Sequence, residues 1–391
     1  MALTIADDMW RECLSAPDLE FNIETAAAAF SRLPELAEAA HFTPEEQANL
    51  TQTISSVSTD PEQLSVWYKV VLLLSQRNET GNLLCGRDPG FGGSMNDPYG
   101  FNLLVLLGMI PVMEQLYREK GWYEELWAEA LLDIRIWMDF CRANNDSFGI
   151  SFGFAWIRYQ MVGAVMRLGR LQCNDDGGFY HEYRVYRNKK DCSYCALMDC
   201  AMNFRNDGFS AFPDEDAAFT TAPVVTDEQG YTGWKCTGNG LVHPEKITLA
   251  KTDWEEFLKP DDPVIHLHIP ADGPLLPEQA LDSCRKMLKF HREVLKRDPK
   301  AFVCESWLLD PMFAQLLPPT SNILKFQQLG YRMPGPAGES ELVRRVFGEK
   351  AVRGGLDAVP HKTSMQRTFA DYLKGGGHAR NGAFFIPLEM I

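Results

Sequence analysis

The chain begins without the basic residues and apolar stretch of an export signal: Leu3, Thr4, Ile5 and Ala6 run directly into Asp7 and Asp8. The expectation is a cytoplasmic protein. No long hydrophobic run is present either. The longest, residues 103–113, is interrupted by Gly108 and Pro111 and falls short of the roughly 20 residues that cross a bilayer, so it reads as a buried helix and no membrane partner is expected. The 10 cysteines are scattered through 391 residues and form no short disulfide framework, which fits reduced thiols. GxGxxG, Walker A, GxSxG and HExxH patterns are all missing, leaving no motif for a dinucleotide, P-loop, serine-hydrolase or zinc-protease reading. Positive charge is also short, with 38 Lys and Arg against 53 Asp and Glu and a net charge of −15. That balance argues against nucleic acid as a partner.

The deficit is not evenly spread. Residues 1–150 carry 9 basic and 23 acidic side chains, residues 151–330 carry 20 and 24, and residues 331–391 carry 9 and 6. The acidic part is also the helical part. Residues 20–36 are rich in alanine. Thr43-Pro44-Glu45-Glu46 combines a cap, a proline at the first helical position and acids in the first turn. Thr59-Asp60-Pro61-Glu62 repeats the signal ahead of Leu64, Trp67, Val70, Val71 and Leu74 at helical spacing. Beyond Gly121, Leu126, Ala130, Leu131, Ile134, Trp137, Met138 and Cys141 mark the inner face of a long helix, and Glu124, Glu125, Glu129, Asp133 and Asp139 are expected on its solvated face.

Near residues 144–147 the pattern changes to short alternating segments, which places a helical domain at 1–148 and a second domain at 149–391. Strands are expected at 167–173, 179–187 and 247–249, with a turn at 174–178, and residues 213–240 read as a long loop or irregular hairpin. A strand at 264–269, a loop at 270–276 and a helix at 277–297 follow, then a strand at 301–308 and a helical stretch at 310–329. The tail adds helices at 339–347 and 364–374 and a strand at 383–388.

The 264–278 segment carries most of the chemistry. A strand feeding a Gly-containing loop and then a helix makes an anion site, because the first amides of a helix lack internal partners and its dipole adds positive charge there. Pro270 cannot donate to a ladder, so the strand stops pairing and leaves a gap for an extended ligand. An ordinary strand-to-helix turn satisfies the same pattern. His266 and His268 share one strand face and suit either general-base work or satisfied core positions. As a metal pair they lack a third ligand, and no metal is expected there. Cys192 and Cys195, with Cys200 nearby, have a zinc-like start whose fourth ligand would be Cys236, His181 or His243. Cys304 reads as a nucleophile or as a buried inert thiol, and Asp310-Pro311 as a helix start. Arg184, Arg187, Lys189 and Lys190 form a solvated face or meet phosphates.

Five stretches resemble a bacterial acyltransferase family that joins a helical acyltransferase N-terminal domain to a GNAT-like C-terminal domain. They are Arg167-Leu168-Gly169-Arg170-Leu171-Gln172, His268-Ile269-Pro270-Ala271-x-Gly273-Pro274-Leu275, Ser306-Trp307-Leu308-Leu309-Asp310-Pro311, Ser321-Asn322-Ile323-x-x-Phe326-Gln327 and Thr363-Ser364-x-Gln366-Arg367. The resemblance implies an α+β fold, with a mixed sheet flanked by helices on both faces and acetyl-CoA or another acyl-CoA in a splay between central strands. Cofactor contacts are implied at Ile269, Ala271, Asp272, Gly273 and Leu275, and at Phe326 on the second cofactor-side helix. The chain departs from the family's Gln/Arg-x-x-Gly-x-Gly/Ala loop, and Phe326 stands where many such enzymes carry a tyrosine.

The leading expectation is an acyl-CoA-dependent N-acyltransferase acting on a small-molecule or peptide amine, with acyl groups other than aminoacyl. His268 or Glu305 takes the amine proton, a backbone amide near 269–271 stabilises the oxyanion, and Ser306 helps the thiolate leave. The alternatives are a catalytically inactive GNAT-like module that binds a ligand or partner, and a zinc-stabilised interaction protein.

Overall fold

A computed structural model of the chain describes all residues except 1, 2, 17, 18, 88, 94, 124, 175 and 176. Asp175 and Asp176 of the expected turn at 174–178 therefore lie outside the described residues. The chain divides into two compact units after Leu168.

The first unit is helical. Pro44–Ser58 opens with the expected capping box between Thr43 and Glu46, and Pro61–Ser75 is capped by Asp60. The apolar run lies within the 22-residue helix Pro98–Glu119. That helix is long and apolar enough to cross a bilayer by length and composition, but Leu103 through Leu107, Ile110 and Met113 are buried in protein, as in a core helix. Gly108 is needed there, because a Cβ would approach the Trp67 ring to 2.7 Å. Asp133 departs from expectation. It is 2% exposed and accepts from Gln160 Nε2 at 2.6 Å and Arg167 Nη1 at 3.4 Å, so polar partners hold it inside. Arg158, fully buried, donates Nε to the Leu74 carbonyl at 2.9 Å and Nη2 to the Gln76 carbonyl at 2.6 Å. Its charge thus meets the carbonyl end of a helix dipole.

The second unit is built on a mixed sheet. Its strands are Tyr331–Ala337, Arg380–Pro387, Ala301–Ser306, Val264–His268 and Leu171–Asn174, in that spatial order. Among these strands' described pairings, only that of Val264–His268 with Ala301–Ser306 is parallel. The helices Pro277–Phe290 and Asn322–Gln327 cover one face, the latter through Phe326 against Phe384. The other face carries a second sheet where the resemblance implies helices. It is ordered Val242–Ala250, Gly230–Cys236, Tyr194–Met198, Tyr183–Asn188 and Trp254–Leu258. Val264, Ala301, Val303, Met333 and Phe385 of the mixed sheet share a core with Tyr183, Val185, Ala196, Met198 and Cys236 of the second. Each such large apolar side chain contributes roughly 1.5–3 kcal/mol when fully buried.

Several boundaries differ from the sequence reading. The strand expected at 167–173 breaks at Gly169, whose φ is +79°, into Met166–Leu168 and Leu171–Asn174. Gly230–Cys236 is a seven-residue strand inside the expected loop. Its first glycine permits close approach, since a Cβ would sit 2.2 Å from the Leu249 carbonyl oxygen. The helix from Pro277 ends at Phe290 and continues as one π-type turn, His291–Leu295.

Glu46 supplies a stability test. It is 2% exposed, accepts from the Thr43 amide at 2.8 Å and pairs with Arg135 and Arg142. Burial pushes its pKa up, but the Arg135, Thr43 and Arg142 hydrogen bonds outweigh burial and bring it down to about 2. A carboxyl depressed from 4.5 in the folded state stabilises above pH 4.5, and that contribution is lost as pH falls toward 2. Glu46→Gln is expected to cost roughly 1–3 kcal/mol at neutral pH, and to flatten the acid limb of a pH–stability curve measured by denaturant unfolding.

Candidate active site

The parallel pair defines the site. Its ladder runs Val264↔Ala301, Ile265↔Phe302 and His266↔Val303, and then stops. Beyond that point Ala301–Ser306 remains paired with Arg380–Pro387 as far as Ser306↔Gly382. Val264–His268 remains paired with Leu171–Asn174 as far as His268↔Gln172. The two parallel strands therefore part toward different neighbours, with Pro270 just beyond the point of separation. The gap between them leaves backbone edges available to an extended ligand.

Below the gap, the chain passes through residues 269–276 into the 14-residue helix Pro277–Phe290. Ala271, Asp272 and Gly273 are exposed, Ile269 is half-buried and Leu275 is buried. Among the described residues, the amides of Ala271, Gly273, Leu275 and Leu276 have no acceptor, and no side chain caps the helix. A Cβ on Gly273 would meet nothing within 4 Å. The loop is thus an open row of donors at a helix N-terminus, where an anion is favoured. Arg170 shapes it from behind: Nε donates to the Pro274 carbonyl at 2.9 Å, Nη2 to the Gly273 carbonyl at 2.8 Å, and Nη1 lies 3.4 Å from Asp272 Oδ1. The acidic Asp272 is thereby matched by a cation. Ser283, wholly buried in the helix, accepts from the Arg170 and Leu171 amides at 2.9 and 3.2 Å. That hydroxyl ties the second turn of the helix to the beginning of Leu171–Asn174.

Above the gap, His266, His268 and Glu305 share the face turned toward the second sheet, because parallel register keeps 264, 266 and 268 in phase with 301, 303 and 305. His268 Nε2 is 2.6 Å from Asn174 Oδ1 and donates to it. Burial, and then His266, lower the His268 pKa to about 4, so its ring is neutral at pH 7 and Nδ1 is the accepting nitrogen. His266 Nε2 donates to the Gly178 carbonyl at 3.1 Å, and its pKa too is lowered by burial. Glu305 reaches solvent, while the protein around it and the Glu182 carboxylate raise its pKa.

Comparison with known proteins fits this geometry. Residues 165–385 match the GNAT-like C-terminal domain family, a span of more than half the chain, and residues 31–163 match the N-acyltransferase N-terminal domain family. The chain belongs to the GNAT-like C-terminal domain family. No curated protein sequence matches it. Among solved structures, it is similar to an acyltransferase in complex with decanoyl-CoA and teicoplanin, with a TM-score of 0.61 and 18% identity over 95% of this chain and 97% of that one. It is also similar to an acyltransferase variant in complex with octanoyl-CoA, with a TM-score of 0.60 and 17% identity over 92% and 88% of the two chains. An acyltransferase in complex with decanoyl-CoA gives a TM-score of 0.58 and 18% identity over 97% and 98%.

The GNAT-like domain does not gather every residue singled out from sequence. Ser306 projects to the face opposite Glu305 and accepts the Leu308 amide at 3.1 Å, capping the turn Trp307–Leu309. Phe326 is wholly buried, with its ring 5.3 Å from that of Phe384; it is a core residue and presents no surface to a cofactor. Cys304 is buried, and burial pushes its thiol pKa up, which fits the inert reading. Asp310 is buried and accepts the Met312 and Arg380 amides at 2.8 and 2.7 Å, a structural role. The basic run is engaged: Arg184 pairs with Asp199 and Glu256, Arg187 with Glu389, Lys190 with Asp253, and Lys189 donates to the Lys251 carbonyl. Cys192 is exposed while Cys195 and Cys236 are buried, and no three metal-binding side chains converge among the described residues. Sequence reading missed Asn174, Tyr180, Glu182 and Ser283, whose roles arise only when distant strands pair.

Ser283→Ala would leave the Arg170 and Leu171 amides without their acceptor, an expected loss of roughly 1–3 kcal/mol, measurable by denaturant unfolding. Ser283→Thr, which keeps a hydroxyl, is expected to recover part of that loss.

Proposed function

We propose that the protein transfers an acyl group from an acyl-CoA thioester to the nitrogen of an amine acceptor. The observation that carries this reading is the parted parallel pair opening onto unpaired amides at a helix N-terminus. The gap suits the extended pantetheine arm, and the amides of Ala271, Gly273, Leu275 and Leu276 suit the pyrophosphate. Acyltransferases of similar fold, solved with acyl-CoA and with teicoplanin, support a thioester donor and a small-molecule acceptor.

The thioester supplies an activated carbonyl carbon. The protein holds that carbon and the acceptor nitrogen together, which removes much of the entropic barrier. Glu305, exposed enough to exchange protons and raised in pKa, takes the proton that the acceptor ammonium must lose before its nitrogen attacks. Neutral His268, oriented by Asn174, shares the strand face of Glu305 and lines the acceptor's side of the gap. As the new C–N bond forms the C–S bond breaks, and one of the two protons left on nitrogen passes to the departing sulfur, giving an amide that keeps the other and a free thiol. A binding-only reading draws on Phe326, since the usual tyrosine is missing there.

Native mass spectrometry with a series of acyl-CoA thioesters tests the donor. A one-to-one complex with at least one thioester is expected, and no complex with any of them sinks the proposal. Thioester binding without turnover over a broad amine panel would establish the binding-only reading instead. Glu305→Gln is expected to lower kcat by about 10²–10⁴ while leaving thioester affinity unchanged. In the wild type, kcat/KM should fall as pH drops through the raised pKa of Glu305, since only the carboxylate accepts a proton. Unchanged acyl transfer by His268→Ala would remove His268 from the mechanism.

A further inference from the structure

Where the strand Ala301–Ser306 ends, one wall of the gap continues into a stretch with little charge. Residues 306–323 hold a single charged side chain, Asp310, which is buried with its oxygens on the Met312 and Arg380 amides. The backbone groups nearest the gap are also met from within. The Leu308 amide donates to Ser306 Oγ at 3.1 Å, the Leu308 carbonyl accepts from Gln327 Nε2 at 2.8 Å, and the Trp307 carbonyl accepts the Asp310 amide at 3.2 Å. Outward, the stretch presents hydrocarbon. Trp307, Leu308, Leu316, Leu317 and Ile323 are all half-buried, and all pack on one core that contains Phe313 and Phe369, whose rings stack with centroids 4.9 Å apart. The Trp307 ring stands edge-on to Phe313 at 6.0 Å, so neighbouring packing holds it in place.

Apolar side chains scattered singly over a surface need no partner, whereas several sharing one patch mark a place to be covered. The position of this patch points to its occupant. Trp307 directly follows the strand that forms one wall of the gap, and the other wall leaves through Ile269, itself half-buried. A thioester whose pantetheine arm lies in the gap carries its acyl group out at this end. Toward the second sheet the space is filled: the Tyr180 ring lies edge-on to His266 at 5.6 Å and to Tyr183 at 6.1 Å, and His268 and Glu305 make that side polar. The Trp307 side is where hydrocarbon is removed from water without desolvating a charge. Residues 306–323 also offer no cation to a chain that ends in a carboxylate.

We propose that Trp307, Leu308, Leu316, Leu317 and Ile323 seat the acyl chain, with Trp307 setting the preference. The donor is then the coenzyme A thioester of an aliphatic acid that is longer than acetate and carries no second charge. This rests on the acyl-transfer reading, since it starts from a thioester held between the parted strands.

The test is calorimetry on the full chain with coenzyme A and its acetyl, butyryl, hexanoyl and succinyl thioesters. Each added methylene, half covered, should tighten binding about twofold, so hexanoyl-CoA should bind about tenfold or more tightly than acetyl-CoA. Succinyl-CoA differs from butyryl-CoA by a carboxylate in place of the terminal methyl group, and should bind about tenfold or more weakly than it. Trp307→Ala should bring the hexanoyl-to-acetyl affinity ratio below about threefold, and Trp307→Phe should keep most of it. Leu317→Asn, which leaves the Trp307 contact with Phe313 in place, should lower the ratio about threefold. Should circular dichroism show Trp307→Ala unfolded, Trp307→Phe and Leu317→Asn carry the test. Equal affinity for acetyl-CoA and hexanoyl-CoA, or succinyl-CoA bound as tightly as butyryl-CoA, would overturn the acyl seat and leave acyl transfer standing. A ratio unchanged by Leu317→Asn and by Trp307→Ala would overturn it too, by placing the chain elsewhere. Failure of coenzyme A and all four thioesters to bind would overturn the acyl-transfer reading itself.

Discussion

The site depends on a limit to how far two parallel strands can stay paired when each already has another neighbour. Ala301–Ser306 is held along its whole length by Arg380–Pro387, and Val264–His268 is held at its C-terminal end by Leu171–Asn174. Strand twist carries these two attachments apart, so the parallel ladder closes only at its beginning. Pro270, which has no N–H, prevents the strand from resuming. Everything chemical in the second unit is arranged around that opening: donors below it, a neutral histidine and a carboxylate on the wall facing the second sheet, and apolar packing behind.

The lower wall shows how a loop without the usual glycine pattern still serves an anion. Helix polarity supplies the favourable field, and the sequence adds an acid, Asp272, that would weaken it. Arg170 cancels that acid while holding two loop carbonyls turned away from the opening. With the carbonyls directed backward, the amides are left on the open side. Charge balance and backbone orientation are therefore handled by one side chain, and the buried hydroxyl of Ser283 fixes the backbone that bears it.

Local signals were readable from sequence where neighbours in the chain determine the outcome. The cap at Thr43 and the helix Ser364–Lys374 follow from such signals. So does the strand, loop and helix from Val264 onward. Signals that depend on distant partners were not readable. The glycines of Gly230–Cys236 resemble turn residues, yet at Gly230 the glycine is there because another backbone passes close by. Asp133 falls on the polar side of its helix by periodicity, but Gln160 and Arg167 draw it inside. Phe326 matched a family position, but only packing could show that its ring has no open face. Tyr180 lies within an ordinary strand pattern, and the contact of its ring with His266 exists only once distant segments meet.

Pro270 and Pro274 bracket the open loop, and each fixes its own φ and restricts the residue before it. Together with the Arg170 contacts, they leave the segment few alternative shapes. The ordering of that segment is therefore completed when the chain folds, so the loop itself loses little further conformational entropy when a ligand binds.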